Sequence, residues 1–77
     1  MAQVSIQYAL ERQINEWDKK RIQMRLGEIT AIHDVIMDCH TGILCVDFDN
    51  TTFSEKELRY CITAMNYPIF MIDAITF

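Results

Sequence analysis

The chain has 77 residues, a formal net charge of −4, a hydrophobic fraction of 51%, and only Gly 2 and Pro 1. It is therefore sized for one compact domain over residues 1–77, with no room for a second core or a low-complexity linker. The acidic balance argues against a nucleic-acid partner, which needs a basic stripe to neutralise phosphates, and no segment approaches the ~20 apolar residues of a membrane span.

Val4, Ile6 and Tyr8 alternate with Ser5, Gln7 and Ala9, the period-2 pattern of a half-buried strand. From about Glu11 to Arg25 the chain changes to helix formers without Gly or Pro. Its apolar residues Ile14, Trp17, Ile22, Met24 and Leu26 predict a broad buried stripe, and Gly27 is the expected helix C-cap. Ile29 to Cys39 predicts a second strand with Val35, Met37 and Cys39 on one parity, and His40-Thr41-Gly42 supplies turn chemistry. Ile43 to Phe48 then alternates as a third strand, completing a hairpin.

After the polar break at Asp49-Asn50-Thr51-Thr52, Ser54 stands three residues before Glu57, the spacing of a capping box. The helix it opens carries Leu58, Cys61, Ile62 and Met65 on one stripe; Asn66 ends it and Pro68 forbids continuation. Ile69 to Phe77 is apolar and β-prone and closes the chain as a fourth strand. The order β-α-β-β-α-β predicts an α+β, ferredoxin-like fold: a four-stranded antiparallel sheet with both helices on one face.

The residues Ala31-Ile32, Val35, Gly42, Val46-Asp47-Phe48-Asp49, Ser54 to Leu58, Ile62 and Asn66-Tyr67-Pro68 resemble the second half of a heavy-metal-associated domain. That family has a hairpin ending in V-x-[YF]-D, a helix opening S-x-E-x-L and a close at I-x-x-x-G-Y; here Asn66 stands in place of the glycine. The resemblance implies the same fold and, in its metal-carrying members, a Met-x-Cys-x-x-Cys loop between the first strand and first helix. Thiolates suit soft ions such as Cu(I) or Zn(II). The corresponding positions fall at Arg12 and Asn15, or at Asn15 and Asp18, and none is cysteine. The expectation is a domain without that metal site and with no cofactor.

Other chemistry is sparse. Cys61 reads as a small buried hydrophobe on the second helix, and Cys39 and Cys45 fall on opposite parities. His40 with Cys45 is the one alternative soft-metal pair, on the outer face near the turn, although it lacks Cys-x-x-Cys spacing. No Gly-x-Ser-x-Gly elbow or phosphate-cradling glycine loop is present, so an enzyme is not expected. Asp47 and Asp49 read as solvated carboxylates beside a turn. Gly42 to Phe48 echoes an RNA-recognition motif, yet the stacking positions hold Ile43, Cys45 and Ser5, which have no rings. Three cysteines, an odd number, and the lack of a signal-peptide pattern predict reduced thiols and a cytoplasmic location. What remains is surface. Ile36, Ile43, Cys45, Ile69 and Met71 are the expected apolar contact surface for a protein partner or for self-association, because large exposed apolar patches mark partner sites.

Overall fold

The computed structural model describes residues 3–76. The elements run β1 (Gln3–Leu10), α1 (Glu16–Gly27), β2 (Ile32–Asp38), β3 (Ile43–Asp49), α2 (Glu55–Ala64) and β4 (Ile69–Thr76). They form one antiparallel sheet in the order β2-β3-β1-β4, the expected ferredoxin-like architecture.

Alternation decides which face is buried. Val4, Ile6 and Tyr8 lie opposite Phe48, Val46 and Leu44, and all six are buried together with Ile22 and Leu26 of α1 and Leu58 and Ile62 of α2. The helices therefore cover this face, and the odd-numbered residues of β1 and β3 point away from it. Each fully buried aliphatic or aromatic side chain contributes about 1.5–3 kcal/mol. Phe48 also meets Phe53 edge-on, with ring centroids 5.9 Å apart, the favoured aromatic geometry.

The first helix starts later than its composition suggests. Residues 11–15 form the β1–α1 loop, and Asn15 is the N-cap: its side chain accepts from the Asp18 N–H at 2.9 Å, while Asp18 Oδ2 accepts from the Asn15 N–H at 3.0 Å. This reciprocal box sets the start. Of the expected stripe, Ile14, Ile22 and Leu26 are buried, but Trp17 is 66% and Met24 71% exposed. The helix closes through Glu28 and Ile29 N–H groups bonded to Arg25 and Leu26 carbonyls, with the cap at Glu28 in right-handed conformation (φ −77°). Gly27 is thus the last helical residue and not a left-handed cap. The second strand begins at Ile32, because residues 29–31 are taken up in this turn, where the Ile32 N–H bonds the Ile29 carbonyl.

The second half follows its sequence signals closely. Ser54 and Glu57 make the capping box, and Asn66 takes φ 75° just after the helix. Gly42 takes φ 71° in the hairpin turn, a conformation that costs other residues roughly 1–2 kcal/mol. Cys61 is half-buried rather than fully buried. No helix among the described residues is long and apolar enough to cross a membrane.

Candidate functional site

The residues singled out in the sequence fall in two regions: the β1–α1 loop with its surroundings, and the sheet with the face that the helices leave bare.

Arg12 and Asn15 in the loop and Asp18 in the first turn of α1 stand where the resemblance would place thiols, and all three are engaged by their own chain. The buried Tyr67 hydroxyl donates to Asp18 Oδ1 at 2.6 Å, and Arg12 Nη2 lies 3.7 Å from the same oxygen. Arg12 also donates to the Asn66 carbonyl at 3.2 Å. Its guanidinium covers the Tyr67 ring at 4.7 Å, and Arg21 lies 5.7 Å from that ring centre. The Tyr67 hydrogen bond, then the Asn15 N–H, hold the Asp18 carboxyl below its usual range against an opposing burial effect. Burial, then the Asp18 hydrogen bond, pushes the Tyr67 phenol up. A second pair repeats the theme: the buried Tyr8 hydroxyl donates to Glu55 Oε2 at 2.7 Å, and burial raises its pKa first, the bond to Glu55 second. Each buried tyrosine therefore ties the core to a carboxylate in the first turn of a helix.

Sequence reasoning missed this network. Asn15 and Asp18 do carry the spacing of a capping box, and that signal would have placed the helix start.

Cys39 lies beside the same loop, its thiol donating to the Asn15 carbonyl at 3.6 Å. An open hollow of about 470 Å³ brings Cys39, His40 and Arg12 to this end of the molecule. Cys45, by contrast, lies opposite Ile36 and Gln7, with its sulfur 3.6 Å from Ser5 Oγ. Of the expected pair, His40 lines the hollow together with Cys39, and Cys45 is not among its lining residues. Among the described residues no three His, Cys, Asp or Glu side chains are grouped so as to hold a metal ion.

On the bare sheet face, register puts Ile36, Cys45 and Gln7 in one cross-strand row, with Ile43, Ala9 and Phe70 in the adjoining one. Ile36 is 58% exposed. Of the five expected contact residues, Ile36, Ile43 and Cys45 share this outer face, whereas Ile69 and Met71 do not. They pair with Leu10 and Tyr8 and so point to the helix side, where Ile69 packs on the core. Phe70 and Ile75 occupy the outer positions instead, paired with Ala9 and Ser5. Asp38, Asp34 and Asp47 edge the apolar residues, and Asp73 beside Gln7 lies between Phe70 and Ile75 on this face, so Ile75 stands apart from the rest. None of the seven Lys and Arg residues lies on a strand.

No protein-family model matches this chain, and no curated protein sequence matches it. Solved structures do resemble it. Oxidized MerP from Ralstonia metallidurans CH34 superposes with a TM-score of 0.82 at 13% sequence identity, covering 92% of this chain and 99% of that one. The N-terminal domain of the zinc(II) ATPase ZiaA, in its apo form, superposes with a TM-score of 0.75 at 20% identity, covering 88% and 96%. At such identities the likeness is one of fold.

Proposed function

We propose that this chain is a non-catalytic protein-interaction module, a relative of heavy-metal-associated domains that has exchanged the cysteine pair for a structural hydrogen-bond network and receives a protein partner on the outer face of its sheet. The apolar band of Ile36, Ile43, Cys45, Ala9 and Phe70 carries this reading. The uncovered face of an antiparallel sheet is ordinarily polar, and a contiguous exposed apolar patch marks a binding surface. The carboxylates along its margin favour a partner that surrounds its own apolar centre with Lys or Arg. The carboxylates of Asp18 and Asp38 are each engaged by backbone N–H groups of a cap or turn, which are structural roles and not those of a poised acid or base. Three free thiols suit a reducing, cytoplasmic compartment.

A photo-crosslinking residue placed at position 36, or at exposed position 17 on the helix layer, tests the reading in the cells that make the protein. Position 36 is expected to trap a discrete protein that the Ile36→Lys chain does not compete for. Trapping from position 17 alone would refute the sheet face as the site.

A second reading keeps a soft-ion role, and one observation favours it: Cys39 and His40 line the hollow at the start of α1. They supply two donors where a closed tetrahedral site takes four. Titration with Zn(II) or Cu(I), followed by NMR, separates the readings; saturable shifts confined to residues 12–15, 39 and 40 would support the ion.

A further inference from the structure

The sheet has two open edges, and they are built differently. β2 carries Asp34 and Asp38 with exposed His33, and its pairing with β3 slips between Ile32 and Asp34. Charges and irregularities of this kind are how soluble proteins stop an edge from recruiting another strand. β4 has one charge in eight residues, Asp73, and Pro68 stands before it and not within it. Its own irregularity, the unpaired Ile72, faces the β1 pairing, where Met71 lies opposite Tyr8 and Asp73 opposite Gln7.

From Phe70 to Ile75, β4 is also exposed on both faces. Phe70 (52% exposed) and Ile75 (49%) lie on the outer face, and Met71 on the helix side is still 39% exposed. A flat surface could cover one of these faces. Another strand satisfies the outward row of backbone N–H and C=O groups and sets its own side chains beside these residues on both faces.

The distribution of charge selects which strand. β1 and β4 together hold a single charged residue, whereas β2 and β3 hold four aspartates. Stacking two copies face to face would press the aspartates of both sheets together with no cation between them. Joining them edge to edge leaves only Asp73 of each copy on the seam strands and keeps the β3 and β2 carboxylates two and three strand spacings away, roughly 10–14 Å. That is beyond the Debye length of ~8 Å at physiological salt.

We propose that two copies of this chain pair antiparallel along β4, about a two-fold axis, into one continuous eight-stranded sheet. The interface is self-complementary and closes at two: Phe70, Met71, Ile72 and Ile75 of one copy meet their counterparts. The Ile36 end of each sheet stays free for the partner face proposed above, so either idea can fail without the other.

Light scattering over a concentration series tests the dimer. The wild-type mass should rise to twice the monomer within the micromolar range, Ile75→Lys and Ile72→Lys should each weaken association about tenfold or more, and Ile36→Lys should leave it unchanged. Hydrogen exchange on the wild-type protein needs no variant: protection of the β4 amides should grow with concentration while that of β2 stays constant. A monomer throughout the series would overturn the proposal, as would a dimer dissolved by Ile36→Lys but not by the β4 variants.

Discussion

Replacing Tyr67 by Phe isolates the network at the start of α1. The ring and its packing remain, and one hydroxyl disappears, the donor 2.6 Å from Asp18 Oδ1. A hydrogen bond to a charged group contributes about 1.5–3 kcal/mol. Arg12 still stands 3.7 Å from that oxygen, so the loss should fall in the lower part of the range, about 1.5–2 kcal/mol. For a domain of this size that corresponds to a fall of roughly 10 °C in melting temperature. The pH dependence has a definite sign. Asp18 is held below its ordinary value, chiefly by Tyr67, so its contribution is fully present above the unfolded carboxylate pKa of about 3.9 and lost as pH falls through the folded value. The Tyr67 phenol is raised, so its own contribution is present below about pH 10 and lost as pH climbs through the folded value. Urea unfolding of wild type and Tyr67→Phe should thus show a constant gap from about pH 5 to pH 9 that narrows in acid. In an Asp18→Asn background the same substitution should cost less, giving a non-zero coupling energy. A gap unchanged between neutral and strongly acidic pH would refute the role given to the ionised carboxylate.

Two further substitutions probe caps. Gly27→Ala should stabilise the protein by about 0.5 kcal/mol, because the residue is helical and an added Cβ meets nothing within 4 Å; chemical denaturation would read this as a higher midpoint with an unchanged slope. Asn66→Ala should destabilise by about 1 kcal/mol, since Asn tolerates φ 75° better than Ala does, while Asn66→Gly should hold or gain stability. Equal midpoints for the Ala and Gly variants would refute the left-handed account.

The fold was legible because its strands alternate and its turns carry their own chemistry: Gly42, the Ser54–Glu57 box, Asn66 and Pro68 each did locally what their residue type favours. α1 was less legible. Residues 11–15 are adequate helix formers, and propensity alone gives no start, so only the Asn15–Asp18 box marks it. The stripe was read too broadly for a geometric reason: at about 100° per residue, Met24 lies some 200° round from Ile22, on the solvent side. β4 defeated the reading of faces, since it is apolar on both parities and nothing in its composition says that Ile72 is the unpaired residue. Ile69 and Met71 consequently belong to the helix side, and Phe70 and Ile75 to the outer face.

The β1–α1 loop can be tested by introducing thiols at positions 12 and 15. Asn15 caps α1, and loss of such a cap costs about 1 kcal/mol. The Arg12 guanidinium lies over Tyr67 and bonds the Asn66 carbonyl, an exposed arrangement worth about 0.5–1 kcal/mol. The double variant Arg12→Cys, Asn15→Cys should therefore lose about 1.5–2 kcal/mol in metal-free, reducing buffer, if the two contributions add. It would also carry Cys39, whose thiol already touches the Asn15 carbonyl, close to two new sulfurs. Zn(II) should then raise the melting temperature of the variant and leave that of the parent unchanged, since a ligand that binds only the folded state stabilises by mass action. A metal-free variant as stable as its parent would mean that Arg12 and Asn15 hold nothing together and would refute the structural role given to them.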